Sequence, residues 1–540
     1  MQYLLAFFTA LVISVSIIPL MIRLAPRLGL VDRPDARKVH CQPIPRAGGA
    51  GIVLGALIPL ALWLPIDPLL LAYLWGSLTL LAFGLWDDAV ELGHYTKFLG
   101  QFVAVLPVVY YADLHVYCLP FSGLEALPDA ITKPFTVFAI VGMINALNHS
   151  DGLDGLAGGL SVLSLAAIAY LSHGAGDQTA MIVSLSALGG IVGFLRYNTH
   201  PARVFMGDGG SQFLGFSLGF LAVLLTQRTN PALSPALPAL LLGLPIVDIL
   251  AVFVQRVYQG MNWFKATRNH IHHRLLDLGF GHYGSVVVIY SVQTVFVLSA
   301  VLMSYENDSI ILGLYLIICG MLFAFLYTAE SHGWRMARTK PAPRLTRLVE
   351  SLKRHPRFKS ALLTAVAMAI AGLFLAASIL TSHVPRDMAI GSLALAALLL
   401  FLIGVRRDTS ILARTVNYIT AAFVIYLESQ YIPSLGIALV NWAGTAFFAL
   451  LAVAIGMAMR YAESDFRTTP MDFLILFLVL SVGFLAEQEL VQTQLGIMLV
   501  KLVIVFYGCE LVLSRLGPKW NPLNLSALSA LGILGFRGLI

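Results

Sequence analysis

The sequence predicts an all-α, polytopic membrane protein. Of its 540 residues, 58% are hydrophobic and only 11% are charged. The hydrophobic residues fall in repeated blocks of about 16 to 25 residues, the length that a helix needs to cross a bilayer. The blocks predict about 11 transmembrane helices up to residue 326 and about six additional C-terminal ones between residues 361 and 513. Residues 517–540 are ambiguous in this respect.

Lysine and arginine are concentrated in alternate loops between these blocks, which predicts the orientation of the chain. Positively charged loops stay in the cytoplasm, so these loops are expected there. The formal net charge of +6 then follows from topology, and no nucleic-acid partner is expected. The four cysteines are scattered without the spacing of a metal site.

Five polar motifs lie in loops that are predicted on this cytoplasmic face. They follow the first, third, fifth, seventh and ninth hydrophobic blocks. They are residues 32–46 with Lys38 and Arg46, residues 86–91 with Asp87 and Asp88, residues 145–155 with Asn148, Asp151 and Asp154, residues 196–211 with Asn198, Phe205 and Asp208, and residues 270–274 with His270, His272, His273 and Arg274. Their convergence on one face predicts a single active site there.

The residue types in these motifs favour phosphoryl transfer. The adjacent Asp87 and Asp88, with Asp208 in a later motif, offer the hard oxygen ligands that suit Mg²⁺, an ion that also binds substrate phosphates. Lys38, Arg46 and the histidine motif supply donors for a diphosphate. We therefore expect a magnesium-dependent site that binds a phosphorylated substrate.

Structural interpretations of the same residues remain open. Adjacent carboxylates such as Asp87 and Asp88 are common at a solvated helix end. The histidines at 270–273 are compatible with zinc, although no cysteine or acidic residue stands beside them in the usual spacing. Phe205 is more often a buried anchor than a stacking partner for a nucleobase.

Together, the five motifs resemble those of the polyprenyl-phosphate N-acetylhexosamine-1-phosphate transferases (glycosyltransferase family 4). The matching patterns are Asp-x-Pro-x-x-Arg-Lys-x-His at 32–40, Asp-Asp-x-x-Glu at 87–91, Asn-x-x-Asn-x-x-Asp-Gly-Leu-Asp-Gly at 145–155, Phe-Met-Gly-Asp-x-Gly-Ser at 205–211 and His-x-His-His-Arg at 270–274. The resemblance implies transfer of a sugar 1-phosphate from a UDP-N-acetylhexosamine to undecaprenyl phosphate in a bacterial inner membrane, with release of UMP. It also implies Mg²⁺, with Mn²⁺ as a substitute.

The same resemblance implies a role for each matching residue. Asp208 matches a Mg²⁺ ligand, and Asp87 with Asp88 matches an acidic pair near the lipid phosphate, Asp88 being a second ligand or a positioning group. The nucleotide pocket is matched by Asn148, Asp151, Asp154 and Asn198, and the diphosphate and sugar contacts by His270, His272, His273 and Arg274. The His-x-His-His form resembles the branch that uses UDP-GlcNAc or a related UDP-sugar. Its lipid-linked product would begin an envelope glycan such as O-antigen or common antigen.

The resemblance covers only the first part of the chain. It predicts a transferase domain at residues 1–331, a basic, proline-containing cytoplasmic linker at 332–360 and an accessory transmembrane region at 361–540. Lys501 lies within an apolar block, where it either snorkels outward or pairs with Glu487 or Glu489. Because the accessory region shows no clustered polar motif, a structural or partner-binding role, including contact with a second copy of the chain, is favoured for it over a second activity.

Two other classes of function compete with a transferase. A secondary transporter also carries charges in broken helices, but its site would lie near the bilayer midplane rather than at helix ends. A non-catalytic membrane scaffold would need no acidic residues at the motif positions, yet each acidic position expected from the family is filled. The sequence therefore favours the enzyme.

Overall fold

The computed structural model describes residues 2–33, 43–120, 128–261, 269–336, 356–404, 410–431, 438–461, 490–515 and 521–539. In these ranges the chain is helical apart from one short pair of strands. The described residues divide into two compact units, one between residues 2 and 336 and one between residues 356 and 539.

The first unit contains eleven described helices of 16 residues or more and two short ones. They are α1 (Gln2–Leu28), α2 (Gly48–Trp63), α3 (Pro68–Val90), α4 (His94–Tyr110), α5 (Asp129–Ser150), α6 (Leu156–Gly174), α7 (Gln178–Asn198), α8 (Gly207–Leu224), the short α9 (Leu237–Leu241), α10 (Gly243–Tyr258), the short α11 (Ile271–Asp277), α12 (His282–Leu302) and α13 (Asp308–Ser331). A π-helical turn, Leu225–Thr229, continues α8. Strands β1 (Val31–Asp32) and β2 (Ile44–Pro45) pair antiparallel, with Val31 opposite Pro45.

The second unit contains six described helices. They are α14 (Pro356–Leu380), α15 (Arg386–Gly404), α16 (Ser410–Tyr431), α17 (Ala438–Tyr461), α18 (Leu490–Arg515) and α19 (Pro522–Arg537). Across both units, ten of the described helices are long and apolar enough to cross a membrane. The prediction of an all-α, multi-pass membrane protein is confirmed. The linker predicted at 332–360 lies mostly outside the described residues, so the functional division of the chain stays a prediction.

Helix starts in both units carry side-chain caps that satisfy otherwise unpaired amides. The Asp67 carboxylate accepts the Leu70 N–H at 2.7 Å, and Pro68 occupies the first turn, where its missing N–H costs nothing. Asp177 caps α7 and Asn521 caps α19 in the same way. The caps stabilise the first turns of these helices and fix where they begin.

Helix α8 forms the centre of the first unit. It packs against α5 and α3, and its apolar window within Gly207–Thr229 is 100% buried. Small residues make this enclosure feasible, since backbones can approach closely only where side chains are absent. A Cβ on Gly215 would meet the backbone of Met143 and Ile144 in α5. The first turn of α8 is thereby held among the ends of its neighbours.

Partly buried ion pairs join helices of the second unit. Lys501 in α18 contacts the Glu428 carboxylate in α16 at 2.8 Å, and Arg414 of α16 contacts Glu510 of α18 at 2.6 Å. The expected partners Glu487 and Glu489 lie outside the described residues, and the structure instead gives Lys501 a partner on a different helix. The unit thus holds a clustered polar arrangement that the sequence pattern did not reveal.

Candidate active site

Three acidic side chains meet where the C-terminal end of α3 approaches the first turn of α8. A Cβ on Gly84 would overlap the Gly209 backbone, so the absence of a side chain at Gly84 lets the helices touch. The Asp88 carboxylate accepts the Asp208 backbone N–H, at 3.0 Å for Oδ2 and 3.2 Å for Oδ1. A carboxylate is favoured at this position because the amino end of a helix carries partial positive charge.

Lys97 in α4 links two of these carboxylates. Its Nζ lies 2.6 Å from Asp87 Oδ2 and 3.0 Å from Asp208 Oδ2. The other oxygen of Asp208 accepts a hydrogen bond from Asn148 at 3.1 Å, and Asn148 also donates to Ser211 at 2.8 Å. Both oxygens of Asp208 are therefore held in place, and its orientation is fixed by α4 and α5.

The loop after α5 carries Asp151 and Asp154 and is fixed by Asn198. The Asn198 amide accepts the Gly155 N–H at 2.8 Å and donates to the Val204 carbonyl at 2.9 Å. Asn198 thereby ties this loop to the one after α7. Burial, and then the negative charges of Asp208 and Asp154, raise the pKa of Asp151 to about 7. Acidic groups are evidently crowded here.

The hairpin after α1 brings Arg46 and Phe205 to the same place. Arg46 Nη2 contacts Asp32 Oδ1 at 2.5 Å, and the Phe205 N–H donates to the Pro45 carbonyl at 2.8 Å. Lys38, a predicted substrate-binding residue, lies outside the described residues, so its assignment stays a prediction.

The histidines of the motif at 270–274 have different surroundings. His270 Nδ1 contacts Asp248 Oδ2 at 2.8 Å, and the same carboxylate accepts the Ile271 N–H at 2.9 Å. His272 packs against Gly152, where any side chain would collide with its ring. Burial, with the neighbouring His273, lowers the pKa of His272 to about 3. His272 is therefore neutral at ordinary pH, and its contact with Gly152 is one of packing.

Arg274 was expected to donate to a diphosphate, but the structure gives it another contact. Its guanidinium makes a two-bond pair with Glu330 of α13, at 2.7 and 2.8 Å. A charge matched in this bidentate way is already largely satisfied. Its assignment as a substrate-binding residue gains no support from the geometry, because Arg274 does not line the cavity described below.

A cavity of about 940 Å³ opens between these elements. The predicted site residues that line it are Arg46, Asp87, Asp88, Asn148, Asp151, Asp154, Asn198, Phe205, Asp208 and His273. All five motif loops therefore contribute to its wall, although His270 and His272 support it from behind. The size suits a nucleotide-sized ligand, since small-molecule sites typically span about 300–1,000 Å³.

Several residues of the site were missed in the sequence. Lys97 had no motif of its own, and Asp248 stands alone in an apolar block. His200 lies inside the motif at 196–211 but was not singled out, and His282 follows the last motif; both line the cavity. A weak signal existed for Asp248, because an isolated charge within an apolar block marks a functional or paired residue by default.

The carboxylates fit a divalent cation. Asp87, Asp88 and Asp208 offer only hard oxygen atoms to the cavity, which is the ligand type that Mg²⁺ prefers. The position of the Lys97 ammonium, between Asp87 and Asp208, demonstrates that positive charge is favoured at this point.

The fold and the cavity together define a multi-pass membrane protein with a site rich in acidic residues, which lies at the helix ends of one unit. A family model described as glycosyl transferase family 4 matches residues 70–226, which include the acidic pair, the loop after α5 and Asp208. The chain belongs to this family.

Relatives from distant bacteria match most of their own length. A probable undecaprenyl-phosphate N-acetylglucosaminyl 1-phosphate transferase of Bacillus subtilis is 35% identical over 338 residues, which are 62% of this chain and 94% of the relative. An undecaprenyl-phosphate alpha-N-acetylglucosaminyl 1-phosphate transferase of Haemophilus influenzae is 30% identical over 58% of this chain and 90% of the relative. A decaprenyl-phosphate N-acetylglucosaminephosphotransferase of Mycobacterium tuberculosis is 32% identical over 49% of this chain and 74% of the relative.

Proposed function

We propose that this protein transfers an N-acetylhexosamine 1-phosphate, most simply GlcNAc 1-phosphate, from a UDP-sugar to undecaprenyl phosphate. The observation that carries the proposal is the single cavity built from all five motif loops, in a chain that matches 94% of a relative named for this type of transfer. The product would be the first lipid-linked intermediate of an envelope glycan.

In this reaction an oxygen of the lipid phosphate attacks the β-phosphorus of the donor, and the bond to the bridging oxygen breaks to release UMP. A phosphate monoester with a second pKa near 6 is already mostly dianionic at neutral pH, so no side chain must remove a proton from it. Asp87 and Asp88 then act by positioning. Enzymes of this type gain most of their rate from such positioning and from charge stabilisation.

Asp208 and Asp87, with Asp88 beside them, would hold Mg²⁺ or Mn²⁺. The bound ion would neutralise charge on the diphosphate and polarise the phosphorus that is attacked. Lys97 keeps the two carboxylates together at 2.6 and 3.0 Å and adds a fixed positive charge. Asn148 orients Asp208 through its second oxygen.

The decisive assay measures UMP release from a panel of UDP-sugars, with and without undecaprenyl phosphate. We expect release that requires the lipid, Mg²⁺ or Mn²⁺, and UDP-GlcNAc or a close analogue. Asp208→Asn should nearly abolish it, because an amide is a poorer ligand for a hard cation. The exposed Asp277→Asn serves as the matched control and should retain activity. Full turnover in excess chelator, or in Asp208→Asn, would refute the proposed site.

The site is proposed to face the cytoplasm of a bacterial inner membrane, where nucleotide sugars are available. Alternate basic loops support this orientation. Cysteines introduced at His94, Arg203 and Asp277 should be labelled from the cytoplasm, and one at Asp308 only from outside. Labelling that divides the first three positions between the two faces would contradict the proposal.

A transporter is less well supported. Its substrate site would lie near the bilayer midplane, whereas the cavity is lined by residues at the C-terminal ends of α3, α5 and α7 and the N-terminal end of α8.

A further inference from the structure

Two stacked histidines stand on the wall of the cavity beside Asp154. The rings of His200 and His282 lie 4.0 Å apart between centroids, with an angle of 22° between their planes. The neighbouring Tyr283 meets the His200 ring edge-on and donates its hydroxyl to the His200 carbonyl at 3.0 Å. Ring and backbone of His200 are thus fixed by the start of α12.

Asp154 orients the His200 ring. Its Oδ2 lies 2.6 Å from His200 Nδ1 and accepts the Ala202 N–H at 3.1 Å. The contact between the carboxylate and Nδ1 orients the ring and leaves Nε2, the opposite ring nitrogen, available to a ligand. An imidazole that carries protons on both nitrogens donates one to the carboxylate and the other to an anion.

The charges on the cavity wall create a need for such a donor. The described lining residues include seven acids, Asp32, Asp87, Asp88, Glu91, Asp151, Asp154 and Asp208. Among the same described lining residues, the two permanent cations have carboxylate partners, Arg46 with Asp32 and Lys97 with Asp87 and Asp208. A diphosphate that enters this cavity requires further positive charge, because like charges in a partly dehydrated site repel strongly.

A metal ion explains the histidine pair less well. One ligand atom each from Asp154, His200 and His282 lies within 4.8 Å of the others. A metal, however, lies in the plane of an imidazole at about 2.0–2.1 Å from its nitrogen. Two stacked, nearly parallel rings share no in-plane point at that distance, so the geometry favours hydrogen bonding over chelation.

We propose that His200, oriented by Asp154 and backed by His282, binds the phosphate of the donor that leaves as UMP. The assignment rests on the proposed function, which puts the attacked β-phosphorus at Asp208 and Lys97. Asp154 lies three residues after Asp151 in the loop that follows α5, and its partner His200 lines the same cavity, so we assign His200 to the adjoining nucleotide phosphate. His200 is therefore a substrate-binding residue that selects a nucleotide over a nucleoside.

The test compares the affinity for UMP with that for uridine, which lacks the phosphate. Dissociation constants are measured on the full chain in detergent with Mg²⁺ present, for the wild type, His200→Gln and Asp154→Asn, with the exposed His332→Gln as the control. We expect both site variants to weaken UMP binding by about tenfold or more, as for a lost charge-assisted hydrogen bond. Uridine binding should stay unchanged, which also demonstrates that the variants are folded.

Turnover supplies a second measurement. In His200→Gln, the KM for the UDP-sugar should rise while the KM for undecaprenyl phosphate stays constant. Equal losses of UMP and uridine, or unchanged UMP affinity in His200→Gln, would overturn the assignment and leave the proposed function intact. Stoichiometric zinc in the purified wild type that is lost in His200→Gln would also overturn it, in favour of a metal site. A wild-type chain that binds no UMP would overturn both proposals.

Discussion

Substitution of Gly84 by alanine should inactivate the enzyme without touching a charged residue. The new methyl group would lie well under 3.0 Å from backbone atoms of Gly209, closer than real Cβ atoms approach. Backbone cannot swing aside as a flexible side chain can, so α3 and α8 would have to part by about 1 Å. That shift would separate Asp87 and Asp88 from Asp208, and a misplacement of this size costs roughly a hundredfold in rate.

Gly142→Ala is the matched control, since it makes the same change in an apolar helix of the same unit. No atom outside its own helix lies within 4 Å of a Cβ at Gly142. UMP release and thermal stability in detergent are measured for both variants at equal protein amounts. We expect Gly142→Ala to match the wild type and Gly84→Ala to lose about two orders of magnitude in kcat. Activity of Gly84→Ala within threefold of the wild type would refute the claim that this helix contact sets the acidic cluster.

Three further predictions concern the two units. Lys501→Met should lower the unfolding free energy of the second unit by roughly 1–3 kcal/mol, because the partly buried Glu428 carboxylate loses its charged partner, while the double variant with Glu428→Leu should recover most of the loss in a thermal-shift assay. Asp151→Asn should raise the stability of the substrate-free, chelator-treated protein more at pH 8 than at pH 5. The folded pKa of about 7 exceeds the ordinary 3.8, so the wild type loses stability as pH rises between these values. A chain of residues 1–340 should remain folded and release UMP, and inactivity of a well-folded truncated protein would mean that later helices complete the site.

The class of fold could be predicted because membrane helices are specified locally. An apolar block of sufficient length must form a helix, since its backbone finds no other hydrogen-bonding partners in lipid. About 11 transmembrane helices were expected up to residue 326; eleven described helices of 16 residues or more occur by Ser331, and eight of these are long and apolar enough to cross a membrane. The partner of a charged side chain, in contrast, is not specified by its neighbours in the sequence. Lys501 pairs with Glu428 because α16 packs against α18.

Most of the candidate site could be predicted for a related reason. Alternating membrane crossings bring every second loop to one face, so five polar loops could be grouped before any packing was known. Which side chains of these loops reach the cavity could be learned only from the structure. Arg274 has the same charge as Arg46, yet it pairs with Glu330 away from the cavity. Lys97 carried no motif, yet it contacts two of the predicted acids.

The acidic excess of the cavity connects stability with function. Seven carboxylates face two paired cations among the described lining residues, and burial together with the charges of Asp208 and Asp154 raises the pKa of Asp151. Such crowding destabilises the empty protein, and positions of this kind persist where they serve a function. A divalent cation would relieve the repulsion at Asp208, and the His200 ring contacts Asp154. Mg²⁺ with UMP should therefore stabilise the substrate-free enzyme more than either alone, because Mg²⁺ neutralises carboxylates that repel the UMP phosphate, and the bound phosphate in turn favours Mg²⁺.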